Sequence, residues 1–419
     1  MNDMLTREEA LDILKIKPAT LYAYVSRGLI RATPHEDGRK RLYLRRDVEQ
    51  LSTRKRGRSP MGSVAESTMR LGDPVLHSAI TQITPHGPRY RNKLATDLAM
   101  GGASFESVAY LLMTGIWQDS LAIWAPAETP PDVLRFLSTY EGRIASTDIG
   151  NLIGMLPFAL AMQGRGTREI ADGSAVQAAR LMIQSMAGAI GFLGPKRAFV
   201  KREADESIAG QILRAAGAVV TPVTLRAINM ALIVLADNEL APATFSARVA
   251  ASTNADLFNC VASAIGSHVG FSTGTGTEKI ETLLLCAPMS ALDTRMDRVR
   301  EYGASLFGFN HPLYLGADPR ADLMLQAAGD IAKGPHATPA VRKNTRLTLD
   351  FFDRTRRELN AQPGIALGLV TLARALRLPD GSATAIWIVG RTAGWVAHVM
   401  EQRTQAFLLR PRAKYEAPQ

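Results

Sequence analysis

From about residue 76 onward, one Ala- and Leu-rich segment of helical period follows another, with little period-two alternation between them. ASFESVAYLLMTG places Phe105, Val108, Ala109 and Leu112 on one face and ends at Gly115. NLIGMLPFALAM, AVQAARLMIQSMAGAIGFL, TLRAINMALIVLA and TAIWIVGRTAGWVAHVMEQ continue the pattern. Aromatic residues make up only 6% of the chain, and the Ala/Leu bias favours helix because these side chains lose little rotamer freedom there. Several segments are apolar on nearly every face, which fits helices buried in a large core or a subunit interface. No period of 20 to 50 residues repeats. The expected fold class is all-α, and 419 residues are enough for two or three domains.

Cys260 and Cys286 form no C-x-x-C pair and read as small buried hydrophobes in a reducing compartment. The seven histidines include no H-E-x-x-H and no i, i+4 pair, so no metal site is expected. The N-terminal MNDMLTREEALDIL has charges throughout and no apolar run, and no stretch of about 18 apolar residues follows. The expectation is a cytoplasmic protein with no export signal and no membrane partner. The net charge of +10 is uneven: residues 1–60 hold 14 Lys/Arg against 8 Asp/Glu, a balance of +6. A polyanion partner is therefore a consideration for the N-terminal part alone.

In that part, Thr6 and Glu9 have capping-box spacing, and Ala10, Leu11 and Leu14 form an apolar stripe. Pro18 suits the first turn of a second helix carrying Leu21, Tyr22 and Val25, with Gly28 as its stop. Asp37-Gly38 is a hairpin signal, and Asp47 is a candidate cap for a third helix through Val48 and Leu51. Residues 5–52 resemble the winged helix-turn-helix domains of the MerR and excisionase type. That resemblance implies DNA contacts from Thr20, Tyr24 and Arg27 on the second helix, and from Arg39, Lys40 and Arg41 on the wing. The alternative is a structural or dimerisation appendage whose basic face is merely solvated. Residues 1–53 are read as this domain, and 54–75, with its Arg54–Pro60 charge run, as a linker.

Two local patterns mislead. Gly270, Ser272 and Gly274 match a G-x-S-x-G nucleophile elbow, but that motif needs a preceding strand and LFNCVASAIGSHVG reads as helix. Gly274-Thr-Gly276 is too short for a nucleotide loop.

Three stretches carry a family resemblance. Residues 78–115 have a Tyr-Arg pair ahead of a Ser-Phe-Glu helix. Gly308-Phe-Asn-His311-Pro-Leu-Tyr314 is followed by Asp318-Pro-Arg320. Gly390-Arg391-Thr-Ala-Gly-Trp395-Val-Ala-His398 is followed by Arg410-Pro-Arg412. Together, over residues 76–415, they resemble the citrate synthase family. The resemblance implies a helical dimer with a large domain (76–272 and 376–419) and a small domain (273–375) that closes over substrate. It implies condensation of an acyl-CoA with oxaloacetate: Arg320, Arg391 and Arg410 would hold carboxylates, Arg410 reaching in from a partner subunit. Arginine suits a bidentate carboxylate contact. His311 would bind or protonate the ketone oxygen. A CoA thioester is the implied co-ligand, with Arg412 and Lys414 as candidates for its phosphates, and no covalent cofactor is expected.

The chain departs from the family at three positions. The enol-steadying histidine of G-P-L-H-G-G-A-x-E falls on Thr273. The general-base aspartate of P-N-V-D-F falls on Ala366 in Pro363-Gly-Ile-Ala366-Leu. Asn238 stands where D-H-E-x-N has a substrate-binding histidine. His268 is too far upstream to substitute for the first, and Asp350 is too far upstream of Arg391 to substitute for the second. Losing one general acid or base costs about 10²–10⁴ in rate. The anion clamp survives while the proton-moving groups go. Three readings follow. One is a diverged condensing enzyme or the impaired subunit of a heterodimer with a competent paralogue. The second is a DNA-binding regulator sensing a carboxylate or CoA ester. The third is an ordinary citrate or methylcitrate synthase.

Overall fold

A computed structural model describes residues 4–26, 30, 32–34, 41–45, 47–48, 76–119, 124–165, 174–270, 277, 279–281, 293–294, 296–297, 308–314, 316–405 and 407–411. They fall into two compact units: one ends at His77 and takes in Arg410 onward, and the other runs from Ser78 to Leu409.

In the first unit, β1 (Met4–Leu5) leads into α1 (Arg7–Leu14). The expected capping box forms: the Thr6 N–H donates to Glu9 Oε2 at 2.7 Å, and the Glu9 N–H donates to Thr6 Oγ1 at 3.3 Å. α2 (Pro18–Ser26) opens on its proline, as expected of a residue with no N–H to satisfy. β2 (Ala32–Pro34) and β3 (Arg41–Leu44) pair antiparallel with Pro34 opposite Arg41, and β1 adds on the other side of β3. Leu5, Ala10, Leu14, Leu21, Ile30 and Tyr43 close a small core between the helices and this sheet. Gly28 and the Asp37-Gly38 turn lie outside the described residues. Asp47 is not a cap: Arg45 is already helical, and Asp47 is buried within the turn. The linker at 54–75 is also outside the described residues.

The second unit opens on a small antiparallel sheet, β4 (Thr81–Thr84), β5 (Gly87–Tyr90) and β6 (Lys93–Leu94), which the helical reading of the sequence missed. These strands are two to four residues long, too short to show alternation. Helices follow: α3 (Ala95–Met100), α4 (Phe105–Thr114), α5 (Pro131–Ser138), α6 (Ile149–Leu160), α7 (Ala175–Ala189) and α8 (Ile208–Ala216). Then come α9 (Pro222–Leu235), α10 (Pro242–Ser252), α11 (Leu257–His268), α12 (Pro319–Lys333), α13 (Pro339–Leu359), α14 (Ile365–Ala375) and α15 (Ser382–Arg403).

α15 is the hub. It is buried on every side and packs against α4, α7, α9, α10 and α11, which explains why its sequence lacks a polar face. α12 packs on α13 and α14 and also touches α9. The helix before Ser272 is α11, so the G-x-S-x-G match lacks its strand. No helix among the described residues is long and apolar enough to cross a membrane. Cys260 is buried, and its thiol donates to the Ala255 carbonyl at 3.6 Å. Cys286 lies outside the described residues.

Candidate functional site

Two helix ends, one helix middle and the loop 308–314 carry the expected ligand residues Asn238, Arg320, Arg391 and His311. α9 stops at Leu235, and Asp237 and Asn238 follow it. Tyr90, buried on β5, holds that corner: its hydroxyl donates to the Ile233 carbonyl at 3.0 Å and accepts from the Asp237 N–H at 3.2 Å. α12 begins with Asp318 as its N-cap. The side chain of Asp318 also grips Arg320: Nε donates to Oδ1 and Nη2 to Oδ2, both at 2.9 Å. Arg320 Nη1 donates to Asn238 Oδ1 at 2.5 Å. Arg320 is fully buried, and its pair with Asp318 keeps its proton more tightly held than usual despite burial.

Arg391 sits in the middle of α15, 4% exposed, and differs from Arg320 in kind. It makes one hydrogen bond, from Nε to the Leu235 carbonyl at 2.6 Å, and no ion pair among the described residues. Burial lowers its pKa to about 10, with the nearby Asp237 carboxylate opposing that shift. It stays charged at neutral pH with its terminal N–H groups uncommitted. Asp237 is held by His398, whose Nε2 lies 3.3 Å from Oδ2. His398 in turn meets Arg248 at 3.3 Å, and Arg248, fully buried on α10, bonds Glu401 at 2.6 Å and Gln402 at 2.9 Å. Burial alone would raise the Asp237 pKa, but His398 and Arg391 draw it below the ordinary carboxylate value. This buried chain fixes the wall behind Arg391.

His311 lies on the segment 308–314, which is clipped to the start of α14. The Gly364 N–H donates to the Gly308 carbonyl at 2.8 Å, and the Asn310 N–H to the Gln362 carbonyl at 2.8 Å. The Leu313 N–H donates to His311 Nδ1 at 3.2 Å, so the neutral ring carries its proton on Nε2. Burial, and then Arg320, lower its pKa to about 4. At neutral pH His311 is a hydrogen-bond donor, not a cation. Tyr314 stacks near both: its ring is 5.2 Å from that of His311 and 5.0 Å from the Arg320 guanidinium carbon.

The same clip sets Ala366, in the first turn of α14, beside this segment, half-buried against the core. Its methyl group cannot accept a proton. His268 ends α11, buried against the Trp387 and Trp395 rings at 5.3 and 5.7 Å, so it does not stand in for the missing histidine. Asp350 is exposed on α13, its neighbours Phe351 and Phe352 packing on Phe309. Thr273, Arg412 and Lys414 lie outside the described residues. Arg410 is exposed and is assigned to the first unit, whereas Arg320 and Arg391 belong to the second.

In the N-terminal unit, Thr20 is half-buried and Arg41 is exposed at the start of β3. Tyr24 is half-buried against the unit's own core, so only part of it faces outward. Arg27, Arg39 and Lys40 lie outside the described residues. Tyr22, read in the sequence with Leu21 and Val25 as part of the apolar spacing of α2, is instead exposed, with Arg7 5.9 Å from its ring.

The geometry defines a class first: a mostly helical protein in which two buried arginines, Arg320 and Arg391, lie near the neutral imidazole of His311. Comparison with known proteins then gives the family. The model described as citrate synthase, C-terminal domain, matches residues 71–412, and a helix-turn-helix domain model matches residues 4–56. The chain belongs to the citrate synthase family. Citrate synthase 2 of Bacillus subtilis is 28% identical over 201 residues, 47% of this chain and 52% of that protein. The chain thus spans about half the length of this and the other curated relatives it matches first. The 2-methylcitrate synthase 2 of Corynebacterium glutamicum is 24% identical over 380 residues, 81% of this chain and 91% of that protein. Among solved structures, the ternary complex of carboxymethyl coenzyme A and oxaloacetate with citrate synthase from Thermoplasma acidophilum has a TM-score of 0.71 at 21% identity, covering 83% of this chain and 94% of that one. The fold is the all-α citrate synthase fold, preceded by a helix-turn-helix domain.

Proposed function

We propose that this protein binds a small carboxylate of the oxaloacetate or citrate type together with an acyl-CoA, and does not carry out ordinary citrate synthesis. It acts as a diverged acyl-CoA/oxaloacetate condensing enzyme or as the catalytically impaired subunit of a heteromeric citrate synthase. The contrast between Arg391 and Ala366 carries this reading. A buried guanidinium with one hydrogen bond keeps its terminal N–H groups for a carboxylate. An alanine at the expected base position gives an acyl-CoA α-proton nowhere to go. His311, with its proton on Nε2, supplies a donor to a ketone oxygen, and Arg320 and Asn238 form the facing wall. Residues 76–272 with 376–419, and residues 273–375, would be the two domains that close on the ligands. Arg410 would complete the pocket of a second subunit, in a homodimer or beside a paralogue.

Calorimetry of the full chain with oxaloacetate, citrate and CoA esters tests this, repeated with Arg391→Ala. Carboxylate binding that the substitution abolishes, with negligible thiol release from acetyl-CoA and oxaloacetate, is the expected result. Turnover like that of an active citrate synthase would refute it.

The helix-turn-helix match at residues 4–56 favours a second reading, in which the N-terminal domain binds DNA and the carboxylate pocket acts as a sensor. A salt-sensitive footprint altered by citrate or oxaloacetate would support it. Failure to bind any promoter fragment from its own gene neighbourhood would count against it.

A further inference from the structure

The Tyr314 hydroxyl is a buried polar group of the 308–314 segment with no hydrogen-bond partner. Tyr314 is 6% exposed, and its oxygen is closed to solvent with no hydrogen-bond partner. Native proteins pair the great majority of buried hydroxyls, so an orphan calls for a cause. Its surroundings supply one. The hydroxyl lies in the fields of Arg320, Asp318 and Arg391. The two guanidiniums have only protons to offer. Asp318 is spent on Arg320, with Oδ1 accepting from the Arg320 backbone N–H and from Nε, and Oδ2 from Nη2. A phenol proton beside two arginines with no acceptor in reach is matched to an acceptor that comes from outside.

We propose that Tyr314 is a ligand-binding residue, its O–H donating to an oxygen of the carboxylate held by Arg391, a role that rests on the carboxylate reading above. The bond forms on binding. Residues 308–310 are fixed to 362–364 by backbone bonds, whereas the bonds of 311–314 stay within the segment, with the Tyr314 N–H on the His311 carbonyl and the Leu313 N–H on His311 Nδ1. The hydroxyl makes no hydrogen bond to the protein; in the complex it adds a charge-assisted hydrogen bond. Its ring keeps a separate task, lying over Arg320 and beside His311.

Tyr314→Phe in the full chain separates the two, because phenylalanine keeps the ring and removes only the oxygen. Two measurements are made: calorimetry with oxaloacetate, and urea unfolding without ligand. The expected result is a loss of oxaloacetate affinity of about ten- to hundredfold, with the unfolding midpoint unchanged or raised. Unchanged affinity overturns the proposal, and so does a lowered midpoint, which would give the hydroxyl a structural role. Arg391→Ala, run in parallel, tells the two readings apart. If it abolishes binding while Tyr314→Phe leaves the affinity unchanged, only the tyrosine assignment falls. If neither variant changes oxaloacetate binding, the carboxylate reading falls with it.

Discussion

Arg320 donates from Nη1 to Asn238 Oδ1 at 2.5 Å, and that bond decides which way the Asn238 amide faces. With Oδ1 committed, Nδ2 is the atom left for a ligand, so asparagine presents a donor whose charge state does not change with pH. The bond also occupies a donor of a guanidinium with no access to water. Asn238→Ala leaves that N–H buried and unpaired. The expected cost is about 1–3 kcal/mol of stability, read as a lower urea midpoint, together with weaker oxaloacetate binding in calorimetry.

Acid should destabilise the protein through His268. Buried against two tryptophans, it has its pKa pushed down from 6.5 to about 3, first by burial and then by Arg391. The unfolded imidazole takes up a proton near its ordinary value, whereas the folded one refuses it until about 3. Between those values the unfolded state holds more protons, so stability is lost as pH falls through that window. The slope from one such group approaches about 1.4 kcal/mol per pH unit. His311, held at about 4, acts in the same direction over a narrower range. Urea midpoints measured from pH 7 to pH 4 should fall, and His268→Phe should flatten that fall.

Restoring the proton-moving groups tests the proposal that ordinary citrate synthesis is lost with them. Ala366→Asp alone puts a carboxylate beside the His311 segment but leaves Thr273 and Asn238 in place. Groups that act as a unit do not rescue one at a time. The single variant should therefore release little thiol from acetyl-CoA and oxaloacetate. The triple variant Ala366→Asp, Thr273→His and Asn238→His should gain about 10²-fold or more over the single one. Equal rates in both would mean that the base alone limits the chemistry.

Local chemistry was legible in the sequence and remote pairing was not. The Thr6–Glu9 capping box, the proline opening of α2 and the stop of α4 at Gly115 depend on neighbours within a few residues, and each forms as read. The burial of α15 could be read from its missing polar face. The bond between Asp237 and His398 joins residues 161 apart, and nothing in the spacing of either stretch announces it. Arg248 is similar: an arginine in an ordinary Ala-rich helix reads as a solvated surface residue, yet it is fully buried and satisfied by α15. Tyr314 was quoted only as part of a motif, because an unpartnered hydroxyl is visible only once its surroundings are known.

Gly394 shows how tightly α15 must approach the pocket wall. Its N–H donates to the Ala236 carbonyl at 3.0 Å. A methyl group at this position would fall well inside contact distance of the Ala236 oxygen and of Asp237, whose Cβ would lie 2.8 Å away. Neither neighbour can give way cheaply, since one is backbone and the other is held by His398. Gly394→Ala should therefore push Asp237 away from His398 and move Asn238 with it. Overpacking of this kind costs about 1–3 kcal/mol. Gly266→Ala is the control: it lies on the exposed face of α11 with nothing within 4 Å of the added carbon, and alanine there should be neutral or stabilising by up to about 1 kcal/mol. Urea unfolding should separate the two variants, and oxaloacetate calorimetry should show weakened binding for Gly394→Ala alone. Equal midpoints would mean that α15 can retreat from the α9 corner without strain.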